Sequence, residues 1–382
     1  MVDGLDDATL TPEQAAIQES VQEFVQAEIE PVAREADRTQ TFPEEVWNGL
    51  AELDLTAMTV PERYGGLDID RVTYSVVNET VAYGSLAVAT ALSVHCLATS
   101  CLATFGSDDQ RERWLPDMAD GRPVGAFALS EPEAGSNPAE MTTEARRDGD
   151  QYVIDGQKQW ITNGERSGIV ILFAKTDRTD PDSVTQFVVP KETPGVEVGK
   201  KEDKLGLRAS DTTALTFEEA RIPADYRLTP EGDGLSAALR ILTGGRIGIA
   251  SQAVGLAQAA LDAAIEYVGE REQFGGPIGD IQTVRHRIAD MATQVRAARL
   301  LARNAAQRDD AGEDVRLDAS MAKYFASVAA MDITNEAVQL HGGYGYMREF
   351  DVERYYRDAK VTTIYEGTSE IQKEVIARSL LE

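Results

Sequence analysis

Two segments near the C-terminus combine residue types and spacings that can do chemistry. Tyr365-Glu366-Gly367-Thr368-Ser369-Glu370-Ile371-Gln372 sets a carboxylate beside a glycine just ahead of a helix, with Ser369 and Gln372 at capping-box spacing. Free amides at such a helix start suit an anion or a polarised carbonyl. Complementing the helix dipole accounts for Glu370 but leaves Glu366 unexplained, which singles Glu366 out. Upstream, Gln339-Leu340-His341-Gly342-Gly343-Tyr344-Gly345-Tyr346 directly follows a helical stretch. Its three glycines let backbone approach a ligand closely, although by itself the run reads as a helix C-cap and turn.

Other chemistries find little support. His95, His286 and His341 are scattered, with no HxxxH or HExxH spacing, so no metal site is expected. Cys96 and Cys101, five residues apart in an apolar stretch, have neither the number of a disulfide framework nor CxxC spacing and read as buried thiols. No G-x-G-x-x-G opens a helix after a strand and no G-x-x-x-x-G-K occurs, so any nucleotide cofactor is held by other means.

The elements that must position these residues fall into three regions. Residues 1 to 120 read as an N-terminal α-helical domain. Thr11-Pro12-Glu13-Gln14 forms a capping box before the stripe Ile17, Val21, Phe24, Val25 and Ile29, and Thr41-Phe42-Pro43-Glu44 opens a second helix in the same way. A turn at Pro61 to Gly66 precedes one long helical stretch from about Val72 to Phe105. Residues 121 to 228 read as a central antiparallel β domain, with short apolar runs at Val124–Leu129, Tyr152–Ile154, Ile169–Phe173, Gln186–Val189 and Thr212–Phe217. Residues 229 to 382 read as a C-terminal domain resembling a four-helix bundle, with helices over roughly 235–270, 280–309, 316–341 and 369–381. The fold class is therefore α+β, multidomain, in α, β, α order.

At this point a family resemblance covers nearly the whole chain. Ala128-Leu129-Ser130-Glu131-Pro132-Glu133-Ala134-Gly135-Ser136, Trp160-Ile161-Thr162-Asn163, Gly245-Arg246-Ile247-Gly248-Ile249-Ala250, Arg271-Glu272-Gln273-Phe274-Gly275, Gln339 to Tyr346 and Ile364 to Gln372 occur in the order of the acyl-CoA dehydrogenases, which the sequence strongly resembles. It looks most similar to the short-chain and short/branched-chain members, whose C-terminal segment reads like Tyr356-Arg357-Asp358-Ala359 through Gln372. The resemblance implies FAD-dependent oxidation of a short or branched acyl-CoA to a trans-2-enoyl-CoA. Glu366 would remove the α proton while the β hydrogen leaves as hydride to flavin N5, and electrons pass on to an electron-transferring flavoprotein. An α C–H is too weak an acid for an aqueous carboxylate, so burial of the Glu, polarisation of the thioester carbonyl and exclusion of water must combine.

The resemblance also distributes ligand contacts. Phe127, Leu129, Ser130, Ser136, Trp160, Ile161 and Thr162 would face FAD, and Thr368, Ser369 and Glu370 would lie at the flavin side of the last helix. Arg271, Phe274, Gln282, Gln339, Gly342 and Gly343 match positions reaching the FAD of a neighbouring subunit, which implies a homo-oligomer, usually a tetramer. Ser136, Thr243, Arg246, Tyr365 and Gly367 would meet the acyl-CoA. Taken alone, Trp160 reads as a strand-end core aromatic and Arg271 as a helix-end charge. Departures from the family pattern are Glu133 where Gly is common, Asn137-Pro138 where an acid is frequent, and Thr243 where many relatives carry Asp. Pocket depth is expected to depend on side chains along Val81 to Val94 and on Tyr365. The runner-up readings are an acyl-CoA oxidase using O2 and a catalytically silent flavin-binding interaction protein; retention of Glu366 speaks against the latter.

Charge narrows the partners. The 382 residues carry 37 basic and 65 acidic side chains, a net −28, which excludes nucleic acid as a main partner. Only 9 of the basic residues are Lys against 28 Arg, and the acids are spread along the chain, as expected of a halophile's solvated surface. A docking face for a basic partner is the competing reading, and it would concentrate the charge; the first fifty residues hold 12 acids, but the excess persists elsewhere. Met1 to Asp7 carries acids where a leader would carry basic residues, and no apolar run approaches about 18 residues, so a cytoplasmic protein without membrane insertion is expected.

Overall fold

The structure is a computed structural model that describes residues 10–381; the leader reading of Met1 to Asp7 lies outside them. Six helices open the chain: α1 (Pro12–Phe24), α2 (Glu30–Thr39), α3 (Glu44–Glu52), α4 (Arg71–Gly84), α5 (Leu86–Phe105) and α6 (Asp108–Ala119). Seven strands follow: β1 (Val124–Ala128), β2 (Glu144–Asp148), β3 (Gln151–Thr162), β4 (Ser167–Lys175), β5 (Val184–Pro190), β6 (Val196–Val198) and β7 (Thr212–Pro223). Then come α7 (Gly234–Glu270), a small hairpin β8 (Glu272–Gln273) and β9 (Gly276–Pro277), and α8 (Gln282–Asp310), α9 (Arg316–His341), α10 (Val352–Thr362) and α11 (Ser369–Leu381).

Several local expectations change. The Thr11 capping box forms as read. Thr41 does not cap α3: its hydroxyl donates to Thr39 O, and Pro43 stands at the cap without a side-chain bond. The stretch Val72 to Phe105 is two helices, because Ser85 turns extended (φ −157°) and accepts from Val88 N to start α5. At α11 the cap is Thr368, whose Oγ1 accepts from Ile371 N at 3.3 Å, while Ser369 is already helical and Gln372 bonds elsewhere. The sheet runs β1-β4-β2-β3-β7-β6, with β5 on β4; most pairs are antiparallel, but β1 and β2 both run parallel to β4.

Two cores explain how the regions hold together. Val21, Ile29, Val76 and Leu92 of the first helices pack with Ile247, Val254, Val295 and Ile333 of the last ones in one cluster. Leu102, Trp114, Leu115 and Met118 pack with Phe173, Val188 and Phe217 of the sheet in the other. Helix α5 contributes to both, which is why it is apolar all round. Contrary to the sequence expectation, its 20 residues are long and apolar enough to cross a membrane, with mean hydropathy 1.7, yet 83% of that window is buried inside the protein. The helices of the first and third regions are also stapled by charge. Glu79 of α4 accepts from Arg299 at 2.7 Å and Arg303 at 2.8 Å on α8, all three nearly inaccessible.

Candidate active site

Helix α10 ends at Thr362, and the chain must reverse before α11 begins at Ser369. It does so through two consecutive left-handed residues, Glu366 (φ 49°) and Gly367 (φ 92°). A left-handed non-glycine residue is strained, so other groups must hold it. Gln372 Nε2 donates to Glu366 O at 3.1 Å and to Gly367 O at 3.0 Å, and Lys323 Nζ on α9 donates to Gly367 O at 2.8 Å. The turn aims the Glu366 carboxylate inward, where Oε2 is buried and has no hydrogen-bond partner. Burial pushes its pKa up to about 7, against the opposing pull of Lys323 and Arg246.

Helix α7 makes the room. A Cβ on Gly245 would sit 2.4 Å from Glu366 Oε2, and one on Gly244 3.0 Å from the Arg71 guanidinium. The Gly244-Gly245 pair therefore opens a groove for both groups. Beside it Arg246 is buried, its Nε without a partner; burial draws its pKa down and Glu366 partly restores it. These residues border a cleft of about 1560 Å³ between α4, α5, α7, the α8–α9 loop and α11. Its α5 wall is Cys96, Leu97, Ser100, Ala103 and Thr104, C-terminal to the Val81 to Val94 stretch expected from the sequence. At its mouth Arg71 pairs with Asp309 at 2.8 Å, and Asp310 accepts from the Arg71 and Val72 amides, tying the α8–α9 loop to the start of α4. Deeper in the helices, Tyr365 Oη reaches Gln252 Oε1 at 3.4 Å, and Gln252 Nε2 donates to Asn78 Oδ1 at 2.8 Å and Ala89 O at 3.1 Å.

A second group of candidates lies on the sheet. Between Lys158 and Ile161 the β3–β7 register slips, and Trp160 adopts φ 58°. The indole is turned outward and 56% exposed, so it is no core aromatic. The segment beside it is rigidly held: Gln159 N donates to Ser130 O, while the buried pair Lys158–Glu131, at 2.8 Å, ties Leu129 O and the Thr142 and Thr143 amides together. Burial opposes ionisation of Glu131, but Lys158 and these donors outweigh it and hold the carboxyl at about 2; burial lowers Lys158 only to about 8, so both stay charged at neutral pH. Phe127 packs on Phe173 and Ile161 is buried. An exposed flat aromatic next to the Ser130 and Thr162 hydroxyls, which take no hydrogen bond within the described residues, fits a planar ring system with polar edges such as an isoalloxazine. Ser136 and Glu133 are exposed, so the Glu133 charge is solvated. Thr243 lines the cleft with its hydroxyl donating to Leu239 O. Thr368 caps α11, Ser369 is buried and Glu370 is exposed.

The third group is not brought to Glu366. Arg271 ends α7, 25 residues beyond Arg246, which is about 37 Å along the helix. There Arg271, Gly342 and Gly343 share a separate pocket of about 430 Å³ with Tyr267 and His341. Phe274, at the β8–β9 tip, is 97% exposed, and Gln282 and Gln339 are exposed nearby on α8 and α9. Lys323, Tyr74, Cys96, Leu97 and Gln252 join the site without a motif that marks them in the sequence. One signal for Lys323 was available: Ser320, Lys323 and Ser327 recur at helical spacing among alanines, and all three are fully buried.

A carboxylate whose Oε2 is buried and unpartnered against Gly245, on the wall of a long cleft, suits the chemistry of an oxidoreductase. Residues 11–122, 126–220 and 232–381 match the acyl-CoA dehydrogenase N-terminal, middle and C-terminal domains, and the chain belongs to the acyl-CoA dehydrogenase family. Among its relatives, the acryloyl-CoA reductase (NADH) of Anaerotignum propionicum is 41% identical, over 98% of this chain and 96% of that protein. The mitochondrial short-chain specific acyl-CoA dehydrogenase of Bos taurus is 43% identical, over 96% and 89%. The butyryl-CoA dehydrogenase structure from Megasphaera elsdenii superposes with a TM-score of 0.96 at 38% identity, covering 99% of this chain and 100% of that one.

Proposed function

We propose that the protein oxidises a short or branched acyl-CoA to the trans-2-enoyl-CoA, with Glu366 as the base. The observation that carries this is Glu366 Oε2, buried, without a hydrogen-bond partner and beside the glycine groove of α7. A base with a pKa of about 7 is matched to neutral operating pH, and burial at the inner edge of the cleft keeps water from levelling it. The α proton passes to Glu366 Oε2. The Glu366 amide and the turn at Gly367 polarise the thioester carbonyl, and Arg246, Thr243, Ser136, Tyr365 and Gly367 position the acyl-CoA. FAD, when bound, supplies the acceptor for the β hydrogen. Phe127, Leu129, Ser130, Ser136, Trp160, Ile161 and Thr162 are proposed to hold it, together with Thr368, Ser369 and Glu370 at the start of α11. The distance of Arg271 from Arg246 supports a homo-oligomer, a tetramer by family resemblance, in which Arg271, Phe274, Gln282, Gln339, Gly342 and Gly343 serve the cofactor of a second copy. Electrons are proposed to leave to an electron-transferring flavoprotein.

The short-chain preference is supported by the 43% identity to the short-chain relative and by the Tyr365–Gln252–Asn78 hydrogen bonds, which tie the residue before Glu366 into the helices. Anaerobic titration tests both parts. Butyryl-CoA should bleach the yellow protein with dodecanoyl-CoA far less effective; no bleaching at any chain length refutes the oxidation. A second reading, reduction of a 2-enoyl-CoA, is favoured by the 41% identity to an acryloyl-CoA reductase. Turnover of acryloyl-CoA with NADH and a cognate flavoprotein, at rates above butyryl-CoA oxidation, would establish it instead. Peroxide formed in step with enoyl-CoA under air would mark an oxidase.

A further inference from the structure

We propose that Lys323 is a positioning residue for Glu366, holding the Glu366-Gly367 turn through the Gly367 carbonyl and the carboxylate by charge. The inference rests on the reading of Glu366 as the base. Lys323 is 0% exposed, yet its ammonium has one acceptor, Gly367 O at 2.8 Å, and no carboxylate within ion-pair distance among the described residues. The chain's other fully buried lysine shows what a structural solution looks like: Lys158 meets Glu131 at 2.8 Å and Leu129 O at 3.1 Å. A buried cation without a direct counter-charge is costly, and an apolar side chain of similar volume would serve packing as well or better. What Lys323 has instead is a bond to the residue that follows the base, in a turn whose two left-handed residues must be held against strain.

The charged and titratable groups around it come from every neighbouring element. Arg246 faces Glu366 from α7, Glu370 faces Lys323 from α11, and Tyr74 of α4 and Tyr365 of the turn itself face Glu366. Only Lys323 and Arg246 favour the ionised carboxylate, and of these only Lys323 also bonds to its turn. Burial lowers Lys323 to about 8, with Glu366 opposing, so the ammonium persists at neutral pH.

The test is a pH series of kcat/KM for wild type, Lys323→Met, Lys323→Gln and Lys323→Arg, with FAD content and melting temperature measured on each. Removing an opposite charge beside a buried carboxylate raises its pKa, so the acid limb should move up by about one pH unit or more in the Met and Gln variants. Lys323→Arg should return it to within a few tenths of a unit of wild type. Should Lys323→Met fail to fold, the Gln and Arg variants carry the same comparison. A kcat/KM reduced by one factor at every pH, with the limb unmoved, would show Lys323 to be structural and overturn the proposal, as would Arg behaving like Met. Glu366→Gln run alongside separates the two layers. If it is inactive while the Lys323 variants leave the limb in place, only the lysine inference fails; if it turns over like wild type, the base assignment fails and this inference with it.

Discussion

Replacing Glu366 by Gln should stabilise the resting protein above neutral pH, not merely silence it. Burial raises the carboxyl from 4.5 to about 7 in the fold, with Lys323 and Arg246 pulling back. The native state therefore favours the protonated form. The stabilisation from binding that proton is fully present below about 4.5 and is lost as pH rises through about 7. At about 1.4 kcal/mol per pH unit, ionising Glu366 inside the protein costs on the order of 3 kcal/mol by pH 8. Gln has nearly the same shape and no charge to desolvate, so it escapes that cost. That cost is already net of the pull of Lys323 and Arg246, so the gain is about 3 kcal/mol, or roughly 4 °C in Tm for a chain of this size. Calorimetry of both proteins at equal FAD loading, at pH 5 and pH 8, reads the effect. Glu366→Gln should melt within about 1 °C of wild type at pH 5 and clearly above it at pH 8. Equal melting at pH 8, or the same offset at both pH values, would refute the claim that a buried, ionisable carboxylate sits there.

Gly245→Ala places a Cβ 2.4 Å from Glu366 Oε2, so the carboxylate must move; kcat should fall about 10- to 100-fold with FAD retained, and wild-type kcat would mean the groove does not position the base. Glu79→Gln strips the buried carboxylate shared by Arg299 and Arg303 and should cost about 3–5 kcal/mol in urea unfolding; a loss below about 1 kcal/mol would show the network to be dispensable. Salt tests the reading of the net charge of −28: the melting temperature should climb steeply from low to multimolar NaCl if the acids serve halophilic solvation, and an unchanged value counts against it.

Much of the architecture was legible because it is local. The Thr11 capping box, the long periodic helices and the apolar strands need only neighbours along the chain, and they stand where the pattern put them. The misses have physical causes. Strand β2 is Glu144-Ala145-Arg146-Arg147-Asp148, whose charges conceal a strand lying between β4 and β3 and held mainly by pairing to β3. Helix α10 is short and polar on one face, and Ser85 breaks a run whose composition gives no warning. The apolar length of α5 is masked in the sequence because threonines and serines interrupt the pattern, although their hydroxyls bond back to their own helix.

The sequence by itself determined the family, through six ordered motifs, and the identity of the carboxylate next to Gly367. Residue types and spacings suffice for that, since a motif is a property of the chain. Only the tertiary structure decided why that carboxylate can act. Its pKa near 7 comes from burial among α4, α7 and α9, its room from Gly245, and its nearest bonded turn partner, Lys323, from 43 positions upstream. Tertiary packing likewise set Arg271 at the far end of α7 from Arg246. Desolvation and charge proximity depend on which distant segments meet, and no spacing along one chain encodes that directly.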